Sequence, residues 1–595
     1  MCTTHLSTLL APYSALQFLY FFLALASIQG LGFGLSQAFP ILGKKLLFAK
    51  GILCVGLLRF IDNLWLGNSL SWLWAGAGTL LFFCYLFTNR HHFHQFSVRS
   101  ILPDRGSPWI WSIILVAFAL LLSRLLFIDS QTDKLYYFPL QNDAVAIWFY
   151  KAKVLSCESL FHSALLNEKV WTFAHPEYPV LFSLITSFFF QISHSFHDFW
   201  PRFWMALLSF TVLMHCLRSM HSSKATTNIT LLLLTPLLLR EEALLTPELL
   251  LAVFFTLGLW SLCRKELLGI KEGRQIDPLS LSIALVFLCH LKTEGLVLSG
   301  LLLVLTPFYE YVFHQTKMPK KFWLLYLIPL TSFIFLKTLP SHHEQYGQQV
   351  LSLDVWRNGI HRIPYLVSSI MEYLSRAPWV FVTTAFLWTV LISQKLWTRT
   401  SFLLLGIFTC FLAFVMLVYT VTPWAANLHQ ETFTRLFLPV SFALLSIAPT
   451  LIAKSNTIRW KRWVPPLFLG FLILFNIELI VRIHQTPAEV IKDNLEAHEA
   501  FRLGKQLTHG IPLGSKVAII GEYEANKDFW TNSYYWANYV AYPNLLYPAP
   551  KDSIVFTAKP TKLWNDFPRQ KPSLEGMDYT YDLQLNELAP LNESP

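Results

Sequence analysis

Charged residues are scarce in this chain. Only 14% of its 595 residues are Asp, Glu, Lys or Arg, against about a quarter in an ordinary soluble domain, and this excludes a typical soluble protein. No CxxC and no metal-ligand spacing occurs among the eight cysteines, which are scattered mostly inside apolar stretches. Neither a disulfide framework nor a structural zinc site is therefore expected. No internal repeat and no low-complexity tract is found. No small-residue cleavage site follows the first apolar stretch, so it reads as a retained helix.

What is abundant is hydrocarbon. Hydrophobic residues make up 54% of the chain, with 50 Phe and 21 Trp. They gather into blocks such as Ser14 to Phe39, Pro108 to Leu126, Leu296 to Val312, Phe322 to Leu339, Phe402 to Tyr419 and Val464 to Val481. Blocks approaching ~20 apolar residues are long enough to cross a bilayer as helices. The expected fold is an α-helical polytopic membrane protein with roughly 13 transmembrane helices. Three of these lie before residue 90, the second being interrupted by Lys50 and Arg59.

The formal charge of +10 is unevenly placed. From residue 484 onward 14 acidic residues outnumber 10 basic ones, whereas the first 483 residues hold 36 basic and 22 acidic groups. Most of that basic excess lies in short connections: Arg90 to Arg105, Arg264 to Arg274, Lys317 to Lys321, Lys395 to Arg399 and Lys454 to Arg462. This is the pattern of retained cytoplasmic loops and not of a nucleic-acid groove, so no nucleic-acid partner is expected. The loops 129–177, 341–377 and 422–434 and the tail after 484 then face outward. Four apolar segments between Asp129 and Arg264 fit this orientation if Pro179 to Ile192 lies at the membrane interface. Three regions result: extra N-terminal helices in 1–107, a transmembrane catalytic region in 108–483, and a soluble extracytoplasmic domain in 484–595. The last contains a helical pattern from Pro487 to Leu507 and an apolar run, Lys516 to Gly521, that reads as a buried strand, so a small α/β domain is expected. The expected location is the cell (inner or plasma) membrane, with many passes.

Polar residues outside the membrane cluster in the loop 129–177. It contains Asn142, Asp143, Trp148, Lys151 and Lys153, followed by His175-Pro-Glu177-Tyr178-Pro179. A helix starting near Asp143 would be amphipathic, with both lysines toward its polar side and the whole lying on the membrane surface. A carboxylate that takes a proton from an acceptor hydroxyl, with cations that stabilise a departing phosphate, is what transfer from a lipid-phosphate sugar requires. An N-cap at Asp143 and interfacial lysines account for the same residues equally well. Further ionisable groups recur at outer helix ends. Glu248 follows Thr246-Pro247, while Lys292-Thr-Glu294-Gly295 breaks an apolar stretch, either as a functional site or as an outer turn in which Lys292 and Glu294 pair. His429 and Arg435 flank Thr432 before the next helix, where the Arg either binds a phosphate or anchors the helix.

These residues resemble the membrane glycosyltransferases of the GT-C type, which include protein O-mannosyltransferases and the lipid A aminoarabinose transferases. The likeness covers about residues 108–440. It rests on Asp143 in the first large outer loop, the run His175 to Pro179, the step Pro247-Glu248-Leu249-Leu250, the turn Lys292 to Gly295, and Thr432 with Arg435. The sequence departs from the pattern in having three apolar blocks before the expected first helix and Glu248 where an Asp is usual. The resemblance implies an inverting transferase whose donor is a polyprenyl- or dolichyl-phosphate sugar and whose acceptor is a lipid, glycan or protein. It implies Asp143 as the catalytic base, and together with the loop reading above the candidate residues are Asp143 and Glu248 for catalysis and Lys151, Lys153, His175, Glu177, Tyr178, Lys292, Glu294, His429 and Arg435 for substrate binding. No cofactor and no metal site is expected, a divalent cation being compatible with the chemistry. Two other readings fit a polytopic chain: a transporter or flippase of lipid-linked sugars, which often shows repeated halves, and a lipid-linked glycan ligase acting on a diphosphate.

Overall fold

The computed structural model describes residues 15–40, 45–65, 70–88, 127–129, 134–136, 144–160, 178–193, 199–220, 247–268, 276–314, 318–338, 399–421, 436–447, 516–520, 545–548, 578–582 and 587–590, with isolated positions in 357–371 and 503–515. These residues are mostly helical. Among the described residues four stretches are long and apolar enough to cross a membrane: Leu19–Ala38, Ser71–Thr88, Thr293–Val312 and Arg399–Val418. Apolar helices of this length support a membrane-associated helical protein.

The chain opens with helices α1 (Ala15–Ala38), α2 (Leu47–Trp65) and α3 (Ser71–Thr88). Their backbones touch through glycine. A Cβ at Gly30 would stand 1.8 Å from the Gly78 carbonyl oxygen, and one at Gly51 would stand 1.8 Å from that of Ile28. Small residues at such crossings let van der Waals packing hold helices together where no hydrophobic force acts between them. Helix α2 corrects one expectation, because Lys50 and Arg59 do not interrupt it. Both side chains are buried, Lys50 donating to Ser36 Oγ at 3.3 Å and Arg59 pairing with Asp62, three residues on, at 2.8 Å.

A π-helical turn (Ala144–Phe149) runs directly into α4 (Tyr150–Cys157). Helices α5 (Leu181–Ser193) and α6 (Phe199–Met220) follow, and α5 packs along α4 and against α1 and α2. Every residue of α5 except Leu181 is buried. It is thus a core helix of the bundle. Its Phe189 stacks on Trp204 of α6 and its Phe182 meets the same ring at a tilt, while Phe21 of α1 closes on Phe189 and Phe203. Cys157 is disulfide-bonded, while Cys54, Cys84, Cys216, Cys263, Cys289 and Cys410 are free thiols. Spacing along a chain carries no information about Cα separation in the fold.

Helix α7 (Glu248–Leu262) is buried on all sides, as befits a helix that is hydrophobic all round. After the short α8 (Arg264–Leu268), α9 (Pro278–Leu291) starts where Asp277 accepts a hydrogen bond from the Ser280 amide and Pro278 occupies the first turn. Rings of Phe254 and Phe287 stack between α7 and α9 at 3.8 Å. Helix α10 (Thr293–His314) follows, then a 3-10 turn (Lys320–Tyr326) leading into α11 (Leu327–Thr338). Helix α12 (Arg399–Val421) packs on α10, and the apolar helix α13 (Leu436–Ile447) follows it in sequence. At one end of this group Arg399 pairs with Glu310 at 2.8 Å, and Glu266 accepts from the amide and hydroxyl of Thr400.

Strands β1 (Phe127–Asp129) and β2 (Lys134–Tyr136) form an antiparallel pair with Ile128 opposite Leu135. Near the C-terminus, β3 (Lys516–Ile520), β4 (Leu545–Pro548), β5 (Tyr579–Asp582) and β6 (Glu587–Pro590) form a mixed sheet in the order β4-β3-β5-β6. Strand β3 is parallel to both neighbours, with Val517, Ala518 and Ile519 buried. This is the strand expected from the run Lys516 to Gly521.

Candidate functional site

The structure places six of the eleven expected site residues, Lys151, Lys153, Tyr178, Glu248, Lys292 and Glu294, in two groups. The first is built on the Ala144–Cys157 segment. Lys151 and Lys153 are 0% and 1% exposed, as buried as Trp148, Phe149, Tyr150 and Leu155 around them. This corrects the expected surface helix with its lysines facing the headgroups. A helical period reveals how one segment's residues are distributed, but not that the rest of the fold covers its polar side as well as its apolar one. Burial pushes the Lys153 amine down to about 7, because removing an ammonium from water favours its neutral form.

Tyr178 joins this group. Its carbonyl oxygen lies 3.5 Å from Lys151 Nζ, its ring stacks on Trp148 with centroids 5.7 Å apart, and the ammonium stands 5.9 Å and 6.0 Å from the Trp148 and Tyr178 rings. These distances are at the outer reach of a cation–π contact. Ser183, one turn into α5, donates to the Trp148 carbonyl, so α5 fixes the first half of the lysine segment.

The second group joins helix ends. Glu248, the first residue of α7, is 2% exposed, and the link between α9 and α10 brings Lys292 Nζ to 2.9 Å from its Oε1. The same ammonium lies 3.0 Å from Glu294 Oε1. Lys292 therefore bridges two carboxylates, including the Glu294 partner expected for an outer turn. A helix N-terminus and an adjacent cation both favour a carboxylate at this position. Such a carboxylate can orient a hydroxyl by accepting its hydrogen bond.

Asp143, His175, Glu177, His429 and Arg435 lie outside the described residues. Among the described residues no group of three or more His, Cys, Asp or Glu is placed to hold a metal ion. A cavity of about 490 Å³ lies away from both groups, lined by residues of α1, α3 and α6 with Phe48. Its walls, including Leu19, Phe22, Phe82, Phe83 and Leu207, offer hydrocarbon contact and no acid–base chemistry.

Reading the sequence missed the polar side chains that hold the lysine segment: Arg59, Asn63 and Gln191. One signal was present. Arg59 and Asp62 stand three apart inside an apolar block, the spacing at which opposite charges meet on a helix. Comparison of the chain with protein-family models, curated proteins and solved structures finds no match.

Proposed function

We propose that this chain is a membrane glycosyltransferase that moves a sugar from a polyprenyl- or dolichyl-phosphate carrier to a lipid, glycan or protein acceptor. One observation carries the reading: two lysines wholly buried on the segment that follows Asp143, with Tyr178 against one of them. In a water-poor interior a cation attracts an anion more strongly than it does at the surface, a phosphate monoester supplies both charge and several acceptor oxygens, and a phosphate bound beside Lys153 would favour the charged form of its amine over the neutral one that burial favours. In the proposed step the acceptor oxygen attacks the anomeric carbon with inversion and its proton passes to the Asp143 carboxylate. The bond from that carbon to the phosphate oxygen breaks, and the lipid phosphate leaves against Lys151 and Lys153. Glu248, held by Lys292, orients the acceptor.

The proposal includes the finer architecture: roughly 13 spans and a soluble α/β domain from 484 onward, with that domain and the catalytic face both outside the cytoplasm at the cell membrane. The resemblance to GT-C enzymes in residues 108–440 supports it, as does the uneven placement of basic residues. The test is to give the purified protein in nanodiscs a panel of polyprenyl-phosphate sugars with membrane lipid extract. The reading requires release of free polyprenyl phosphate with at least one donor. Release with none of them, by protein shown to be folded, overturns it.

A further inference from the structure

The last turn of a helix leaves carbonyl groups with no intrahelical partner, and in α4 other helices supply the partners. Arg59 Nη2 donates to the Leu155 carbonyl at 3.1 Å, and Asn63 Nδ2 donates to the same oxygen at 3.0 Å. Asn63 Nδ2 also donates to the Glu158 carbonyl at 2.9 Å, while its Oδ1 accepts from the Leu160 amide. Gln191 of α5 donates to the Ser156 carbonyl at 2.8 Å and accepts from Ser71 Oγ of α3. Arg59 is itself aimed by Asp62 and donates to Ser187 Oγ, and the other Asp62 oxygen accepts from the Leu70 amide at the start of α3. Arg59, Asp62 and Asn63 are all 0–1% exposed.

We infer that α2 is a clamp whose Arg59 and Asn63, with Gln191 of α5, fix the end of the segment bearing Lys151 and Lys153. Three features favour positioning over mere packing. The donors converge on three carbonyls of a single helix end, those of Leu155, Ser156 and Glu158, a cation stands at the negative pole of that helix, and Asn63 uses both ends of its amide there. The N-terminal helices are then part of the site's framework and not an appendage to it. That Lys151 and Lys153 serve donor binding rests on the function proposed above; the clamp itself does not.

Protection of the lysines tests the clamp without any ligand. The full chain in nanodiscs is treated briefly with acetic anhydride, and acetylation of Lys151, Lys153 and Lys292 is read by peptide mass spectrometry. Lys292 is the internal reference, a buried lysine held by a different ion pair. In Asn63→Ala, and in Arg59→Met with Asp62→Leu, which removes the buried charges together, labelling of Lys151 and Lys153 should rise about tenfold, with Lys292 unchanged. Loss of a few hydrogen bonds shifts a local opening equilibrium by about that much. Unchanged labelling of Lys151 and Lys153, or a parallel rise at Lys292, overturns the clamp. Wild-type protein that releases no polyprenyl phosphate from any donor removes the functional reading, whereas the labelling bears on the clamp alone.

Discussion

Lys292 Nζ stands 2.9 Å from Glu248 Oε1, across 44 positions of sequence, and ties the start of α7 to the link between α9 and α10. Removing one member of a buried pair strands the other's charge, at a cost of about 3–5 kcal/mol, whereas replacing both with neutral groups costs far less. Lys292→Met should therefore lower the melting temperature strongly, and adding Glu248→Gln should restore most of the loss. Additive losses in the double variant would show that the pair does not couple these helices.

Lys153 makes stability depend on pH. Its amine titrates at about 7 in the fold but at about 10.4 when unfolded. Between those values the folded state binds fewer protons than the unfolded one, so this group's burial penalty is full below pH 7 and is relieved as pH rises. Lys153→Met should stabilise the protein most at pH 6 and progressively less toward pH 10. Thermal unfolding across that range checks the sign, and a gain that grows with pH contradicts it.

The long apolar blocks within the described residues were legible as helices because hydrocarbon runs of that length have few other uses, and the α9–α10 break was legible in Lys292 to Gly295, whereas the blocks Pro108 to Leu126 and Val464 to Val481 lie outside the described residues. What could not be read was which faces are covered. The lysine segment shows an apolar stripe and a polar side, and only the packed fold reveals that both are buried. Likewise, charges inside α2 read as a break because a sequence does not show that Arg59 caps α4, nearly a hundred residues away. The Glu248–Lys292 contact was hidden for the same reason, whereas Lys292 and Glu294 are two residues apart.

Asp143 carries the proposed base chemistry. Asp143→Asn keeps size and helix-capping ability while removing basicity, so the protein should fold and sugar transfer should fall by at least ~10²-fold. Near-normal turnover would assign Asp143 to capping and leave Glu177 or Glu248 as the base.

The proposed orientation rests on the basic connections. Single cysteines at positions 505 and 551 should react with an impermeant maleimide from outside, and cysteines at 264 and 461 only after the membrane is opened. Labelling of position 551 from the cytoplasmic side alone would invert the topology and remove the site from the outer face.

Native mass spectrometry of the purified chain with polyprenyl phosphate tests the central claim most directly. Wild-type protein should retain polyprenyl phosphate and not the uncharged polyprenol, and Lys151→Ala with Lys153→Ala should weaken that retention by at least about tenfold, as expected for losing charge-assisted contacts to phosphate. Equal retention of phosphate and alcohol, or a double variant that binds as well as wild type, would contradict a phosphate site at the two buried lysines.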